Sequence, residues 1–270
     1  MKSYLLLTVT LIGMTVISAQ AQDAKLLEEL GLPPLRSTVE PRTSEDRTYV
    51  ALFGGASVDQ NTSGRVDLNP TLAGLGVFNF NDDTDLGYAA GMKVGRTFSR
   101  FSLGGSEKPA PEQFHFLGAV EGELFYNKFG TDGEVEDDFP AGAVTTASTD
   151  INMVVTSFNG VLRAQYKWFR PYIGLGIGFA YLWTDNAELT IVNPVPPPGP
   201  ANLQQSSEDI VMAAQGLAGV EFQLAEDWGL LLEYKYLYLH DPTLKNGGFA
   251  IDFDYIGQSF VSAGLKFYLP

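Results

Sequence analysis

The chain closes on the stretch Ser262-Ala263-Gly264-Leu265-Lys266-Phe267-Tyr268-Leu269-Pro270. Greasy and polar side chains alternate along it up to Leu269, the period of a β-strand with two unlike surroundings. Seven upstream segments alternate in the same way, each of roughly the 9 to 11 residues that a tilted strand needs to cross a bilayer.

In the clearest of these segments Ile173, Leu175, Ile177, Phe179, Tyr181 and Trp183 share one face, against Gly174, Gly176, Gly178 and Ala180 on the other. So many small residues on one face suit a crowded interior. Tyr88, Ala90, Met92 and Val94 oppose Gly87, Ala89, Gly91 and Lys93. Phe114, Phe116, Val120, Leu124 and Tyr126 oppose His115, Ala119, Glu121 and Glu123, while Val154, Phe158, Leu162 and Tyr166 oppose Ser157, Asn159, Arg163 and Gln165. Met212, Ala214, Ala218, Val220 and Phe222 stand against Gln215, Gly219, Glu221 and Gln223, and Leu230, Leu232, Tyr234 and Tyr236 against Glu233 and Lys235. The first segment, Thr48 to Ala56, is small or apolar on both faces, and Tyr49, Ala51 and Phe53 are expected to mark its outside.

Charge placement separates a soluble β-protein from a membrane barrel. By phase, Lys93, Arg163, Lys235 and Lys266 fall on the polar faces together with Glu121, Glu123, Glu221 and Glu233, four cations against four anions. On the apolar faces only Arg96 appears, near a strand end from which it can snorkel to the interface. A soluble sandwich turns its charges to water and its hydrophobes to the core. Here the polar face must line a lumen and the apolar face must meet lipid. Eight strands enclose a space that side chains just fill, and an isolated buried charge is very costly. The eight ionic residues are therefore expected to form a paired plug, beginning with Lys93 and Glu121 on neighbouring strands. A gated pore lined by the same residues is the alternative.

The start of the chain has another character. Lys2, the apolar stretch Tyr4 to Ile17 and the small-x-small site Ala19-Gln20-Ala21 describe a signal peptide over 1–21, cut before Gln22. Residues 22–46 are expected to form a periplasmic segment, in which Ala24 to Leu30 has a helical period stopped by Gly31, Pro33 and Pro34. The barrel domain then runs over 47–270, with no peptidoglycan-binding domain expected after it. After the leader no run of about 18 apolar residues occurs, so an integral protein must cross with closed strands. The 29 glycines and 12% aromatics suit a β-rich chain, and zero cysteines exclude disulfide and thiolate chemistry. The net charge of −15 argues against a nucleic-acid partner, since phosphate binding needs a basic surface.

Connection lengths give the orientation. Lys167 to Pro171 and Ala225 to Asp227 are short links, whereas Ser57–Asp85, Asn127–Asp150, Thr184–Glu208 and Leu239–Asp254 are long and polar. Outer-membrane barrels keep short turns in the periplasm and long loops outside. The link Ser99 to Glu112 departs from that rule by its length. Tyr166, Trp168, Tyr172, Tyr181, Trp183 and Tyr238 lie where aromatic girdles belong.

The segment Arg170-Pro171-Tyr172 followed by Gly174, Gly176 and Gly178, the strand Glu233-Tyr234-Lys235-Tyr236 and the C-terminal ending together resemble the eight-stranded outer-membrane barrels of the opacity-protein and OmpA-like type. The resemblance covers about Arg47 to Leu269. Ser262, Gly264, Phe267 and Leu269 are similar to the assembly signal of such barrels, with Leu269 where an aromatic is usual and Pro270 after it. The resemblance implies an all-β, eight-stranded antiparallel up-and-down transmembrane β-barrel in the outer membrane, with short periplasmic turns and long extracellular loops. It also implies an envelope structural protein or an adhesin-like surface-interaction protein. A narrow channel for ions or small solutes and a lipid-modifying enzyme are the alternatives.

Catalysis has little to draw on. His115 falls near the periplasmic end and His240, beside Asp241, in the fourth outer loop, so the two histidines cannot share a site. No catalytic residue, cofactor site or metal site is assigned. Asp82, Asp83 and Asp85 follow Asn79 and Asn81, and Glu134, Glu136, Asp137 and Asp138 cluster in the second loop, as solvated acids or as a bridge through divalent cations to lipopolysaccharide. Pro194, Pro196, Pro197, Pro198 and Pro200 stiffen the third loop. The expected partners are outer-membrane lipid and lipopolysaccharide, the barrel assembly machinery and a loop ligand on a host or neighbouring cell.

Overall fold

The computed structural model describes residues 47–68, 77–84, 86–101, 115–136, 144–166, 168–192, 207–246 and 249–269. The leader, the segment 22–46 and the proline-rich stretch of the third loop lie outside them. The described residues form ten strands: β1 (Thr48–Leu68), β2 (Val77–Thr84), β3 (Gly87–Phe101), β4 (His115–Glu136), β5 (Val144–Gln165), β6 (Phe169–Val192), β7 (Ser207–Gln223), β8 (Trp228–His240), β9 (Thr243–Asn246) and β10 (Phe249–Tyr268).

Eight of them close a ring in the order β1-β3-β4-β5-β6-β7-β8-β10, every neighbouring pair antiparallel, with β10 returning to β1 from Tyr49↔Tyr268 to Leu68↔Phe249. The other two lengthen existing strands. β2 pairs with β1 and β4, the same two neighbours that β3 has, so it continues the line of β3. β9 pairs with β10 and continues β8 beyond Asp241, whose positive φ of 45° an aspartate tolerates better than most residues, and Pro242, whose carbonyl accepts from Phe253 N at 2.9 Å. Closure leaves the ring no unpaired edge, which hydrocarbon demands. The ranges expected as long polar links are thus strand in large part, reaching Leu68 on β1, Glu136 on β4 and Val192 on β6.

The wall is apolar outside. Phe158, Leu175, Ile177 and Met212 are among its most exposed side chains. Two aromatic belts bound this band. Trp168 stacks on Phe222 at 5.6 Å at the end of the short turns, and Tyr88, Tyr126, Trp183 and Tyr181 follow one another at 6.1, 6.0 and 5.4 Å at the other end. Along β8 the ten steps from Trp228 to Tyr238 rise about 25 Å at the usual strand tilt, the height of an outer-membrane apolar band. The turn end is tied together by Arg47, which donates to Glu226 O at 2.8 Å and to Asp227 Oδ1 at 3.0 Å.

The first strand lies in the opposite phase to the expected one. Tyr49, Ala51 and Phe53 point into the lumen, at 0, 1 and 8% exposure, and Leu52 at 56% faces out. Neither face of this strand is polar enough for its own sequence to decide; its neighbours decide. Tyr49 pairs with Gly95, and its ring lies where a glycine Cβ would stand. Tyr172 departs from its expected place in a girdle for the same reason: it is buried, pairs with Gly219 and lies across it.

Candidate functional site

Among the described residues, chemistry-bearing side chains converge in numbers in the lumen. Strand alternation sends Lys93 of β3, Glu121 and Glu123 of β4, Arg163 of β5, Glu221 of β7, Glu233 and Lys235 of β8 and Lys266 of β10 inward, and all eight are buried. Arg170 of β6 joins them, making five buried cations against four buried carboxylates among the described residues. Arg170 is not among the eight ionic residues expected from strand phase, although it shares the parity of Gly174 and Gly176 and so belongs to the inner face of β6.

The ionic groups form three layers. Nearest the short turns, Arg170 Nη1 donates to Glu221 Oε1 at 3.1 Å and to the Tyr268 hydroxyl at 2.8 Å, while its Nη2 reaches Gln223 Oε1. Lys266 Nζ donates to Glu221 Oε2 at 2.8 Å, and the Tyr268 hydroxyl donates to the same carboxylate. One layer on, Arg163 Nη2 donates to Glu121 Oε1 at 2.5 Å and to the Tyr49 hydroxyl at 2.6 Å, and that hydroxyl donates to Glu121 at 2.6 Å. The third layer spans the lumen. Lys93 Nζ lies 2.5 Å from Glu233 Oε2 and 3.7 Å from Glu121 Oε2, so the neighbouring-strand partner expected first is present but longer. The Tyr172 hydroxyl donates to Glu233 at 2.9 Å. Lys235 donates to Glu123, which also accepts from Gln215 Nε2 at 2.8 Å and Asn159 Nδ2 at 3.0 Å. In low dielectric such a set persists only when its members satisfy one another.

Beyond the third layer the lumen turns largely apolar around one buried polar pair, Asn127 Nδ2 donating to Gln258 Oε1 at 2.9 Å, which a reading of the inner faces as charged does not anticipate. Lys235 Nζ sits 4.2 Å from the centre of the Phe125 ring, a cation–π contact at the boundary. Above it Phe53, Phe125, Phe129, Ile151, Met153, Leu182, Leu237, Leu239, Ile256 and Phe260 pack into one buried cluster. The charged plug is therefore capped by an apolar one. Inward residues here alternate with outward residues that are also apolar, so the local contrast is lost and only the parity carried on from the charged positions of β4 and β8 marks the inner face.

The remaining sequence candidates are scattered. His240 is exposed at the end of β8, with Nε2 3.4 Å from Asp241 Oδ2, whereas His115 opens β4 opposite Gln165 at the turn end. On the wall, a cavity of about 380 Å³ at the outer belt is lined by Tyr181, Trp183, Ser207 and Glu208, where the Tyr181 hydroxyl donates to Glu208 Oε2 at 2.5 Å. Strand register sets the two acidic clusters of the first and second loops side by side, with Asn81↔Glu134 and Asp83↔Asp132. Asp85, Asp137 and Asp138 lie outside the described residues. At the C-terminus, Ser262 and Gly264 face the lumen side of β10, Phe267 and Leu269 face out, and Leu269 N donates to Thr48 O at 2.9 Å across the closing seam.

Solved barrels resemble this ring. Neisserial surface protein A is 14% identical over 82% of this chain and 96% of its own, with a TM-score of 0.41. OprG from Pseudomonas aeruginosa is 14% identical over 83% of this chain and 96% of its own, with a TM-score of 0.39. Ail, the attachment invasion locus protein of Yersinia pestis, is 12% identical over 81% of this chain and 98% of its own, with a TM-score of 0.30. No curated protein matches the chain by sequence. The outer membrane protein beta-barrel domain family matches residues 48–256, from the first residue of β1 into β10. An eight-stranded ring with an apolar wall, two aromatic belts and an ionic lumen thus belongs, on that match, to the outer membrane protein beta-barrel domain family.

Proposed function

We propose that this barrel is a closed, non-conducting envelope protein of the outer membrane that displays its long strand arms at the cell surface, as a structural or adhesin-like surface-interaction protein. The observation that carries the reading is the double filling of the lumen, three ionic layers followed by an apolar cluster. A solute crossing it would have to separate buried ion pairs and then pass a packed aromatic layer, each costing several kcal/mol. In this reading membrane lipid and lipopolysaccharide meet the wall, the C-terminal strand is offered to the barrel assembly machinery, and the arms meet a ligand on a host or neighbouring cell. No reaction is assigned to the lumen.

The test is single-channel recording in planar bilayers on protein whose heat-modifiable gel migration shows a folded barrel. Current at the level of the empty membrane is expected for the wild type and for the Lys93→Met, Glu121→Gln double variant. Discrete conductance from the folded wild type would overturn the reading in favour of a narrow channel.

A further inference from the structure

The layers nearest the short turns carry more positive charge than their carboxylates balance. Arg163, Arg170 and Lys266 share Glu121 and Glu221, whereas Lys93 and Lys235 are matched by Glu123 and Glu233. The guanidinium N–H groups of this layer are also incompletely used: Arg163 Nε and Nη1 and Arg170 Nε are buried without a protein acceptor, while Glu121 Oε2 of the same layer is buried without a hydrogen-bond donor, with Lys93 Nζ 3.7 Å away. Both guanidinium groups converge on Glu221, at 4.0 Å from Arg163 and 3.1 Å from Arg170, but that carboxylate already accepts from Lys266 and Tyr268. Water can fill an unused donor, yet it leaves the excess charge in place, and an uncompensated buried charge is the costlier defect.

We infer that one small monovalent anion of halide size binds inside the barrel in the layer of Arg163, Arg170 and Lys266, against guanidinium N–H groups that have no protein acceptor. The ion supplies both missing quantities, a negative charge and an acceptor for charge-assisted hydrogen bonds. It is small because the space between these side chains is already crowded by Tyr49, Tyr172 and Tyr268. The site is a structural counter-ion and holds whether or not the barrel conducts.

Two measurements on the full-length folded barrel test it. Thermal unfolding in detergent is followed in sodium chloride and in sodium gluconate of equal ionic strength. The wild type should gain roughly 3 °C for each tenfold rise in chloride above saturation and gain nothing from gluconate. Arg170→Gln equalises buried cations and carboxylates, and its response to chloride should vanish. Should that variant not fold, crystals of the wild type soaked in sodium bromide decide the matter, with an anomalous peak expected within hydrogen-bonding reach of Arg163 or Arg170. Identical unfolding curves of the wild type in the two salts, or solvent density there without anomalous signal, would overturn the inference and leave water as the filling.

Discussion

Tyr49 and Gly95 face each other across the β1–β3 ladder, and the tyrosine ring occupies the space where a Cβ at Gly95 would stand. The missing side chain lets the ring lie flat against the inner wall, and from that position its hydroxyl reaches Glu121 and Arg163. Gly219 seats Tyr172 in the same manner, for Glu233. Backbone bareness on one strand thus positions a polar group of the next.

Gly95→Ala is therefore expected to lift Tyr49 off its seat and to destabilise the barrel by about 1–3 kcal/mol, the usual cost of overpacking. Combined with Tyr49→Phe, which already lacks the hydroxyl, the loss should be smaller than the sum of the two single losses. Urea unfolding in lipid vesicles measures this cycle; strict additivity would show that the ring and the glycine act separately.

The bridge from Lys93 to Glu233 crosses the lumen between strands that are not neighbours in the ring. Glu233→Gln leaves Lys93 with the more distant Glu121 and Glu123 and should cost about 3–5 kcal/mol, the range for breaking a buried pair. Removing both charges, as Lys93→Met with Glu233→Leu, should recover most of that loss. A double variant less stable than Glu233→Gln alone would contradict the pairing.

The two fillings of the lumen predict a graded response in conductance. Charge removal at Lys93 and Glu121 alone leaves the aromatic layer of Phe125 and Phe260, whose rings meet at 5.5 Å, and should stay silent. Adding Phe125→Ala and Phe260→Ala, at about 3–5 kcal/mol each, should open discrete current in barrels that still migrate as folded. Silence of the quadruple variant would place the block elsewhere.

Leu269 lies on the lipid side one step beyond Phe267, with 44% of its surface exposed, and its N–H closes the seam onto Thr48. If this residue is read by the assembly machinery, Leu269→Phe should raise the rate at which the heat-modifiable form appears in proteoliposomes containing that machinery, and Leu269→Asp should lower it. Equal rates for all three chains would remove Leu269 from the signal.

The ring and the phase of the strands after the first were legible because lipid imposes one rule on every outward position of the band. Ile173 to Phe179 and Glu233 to Tyr236 obey it without exception. The rule says nothing of a strand whose inner face is also apolar. Phe53 looks, in sequence, like an outward residue, and only the identity of the facing strand, with its glycines or its charges, assigns it inward; Phe125 and Leu237 carry on the parity of Glu121 and Glu123 and of Glu233 and Lys235 along their own strands. Arg170 was hidden by its nearness to a turn, and Tyr172 by the frequency of tyrosine in girdles. The partner of Lys93 across the lumen depends on barrel diameter and stagger, which no single segment encodes.

The strands do not stop at the outer belt. β4 runs ten residues past Tyr126 to Glu136, a rise of about 25 Å at the usual tilt, with β2 and β5 paired on either side of it. The described strands therefore continue past the belt as a braced rim of paired backbone. On the proposed display at the cell surface, the residues carried by this rim can change while the scaffold that presents them keeps its register.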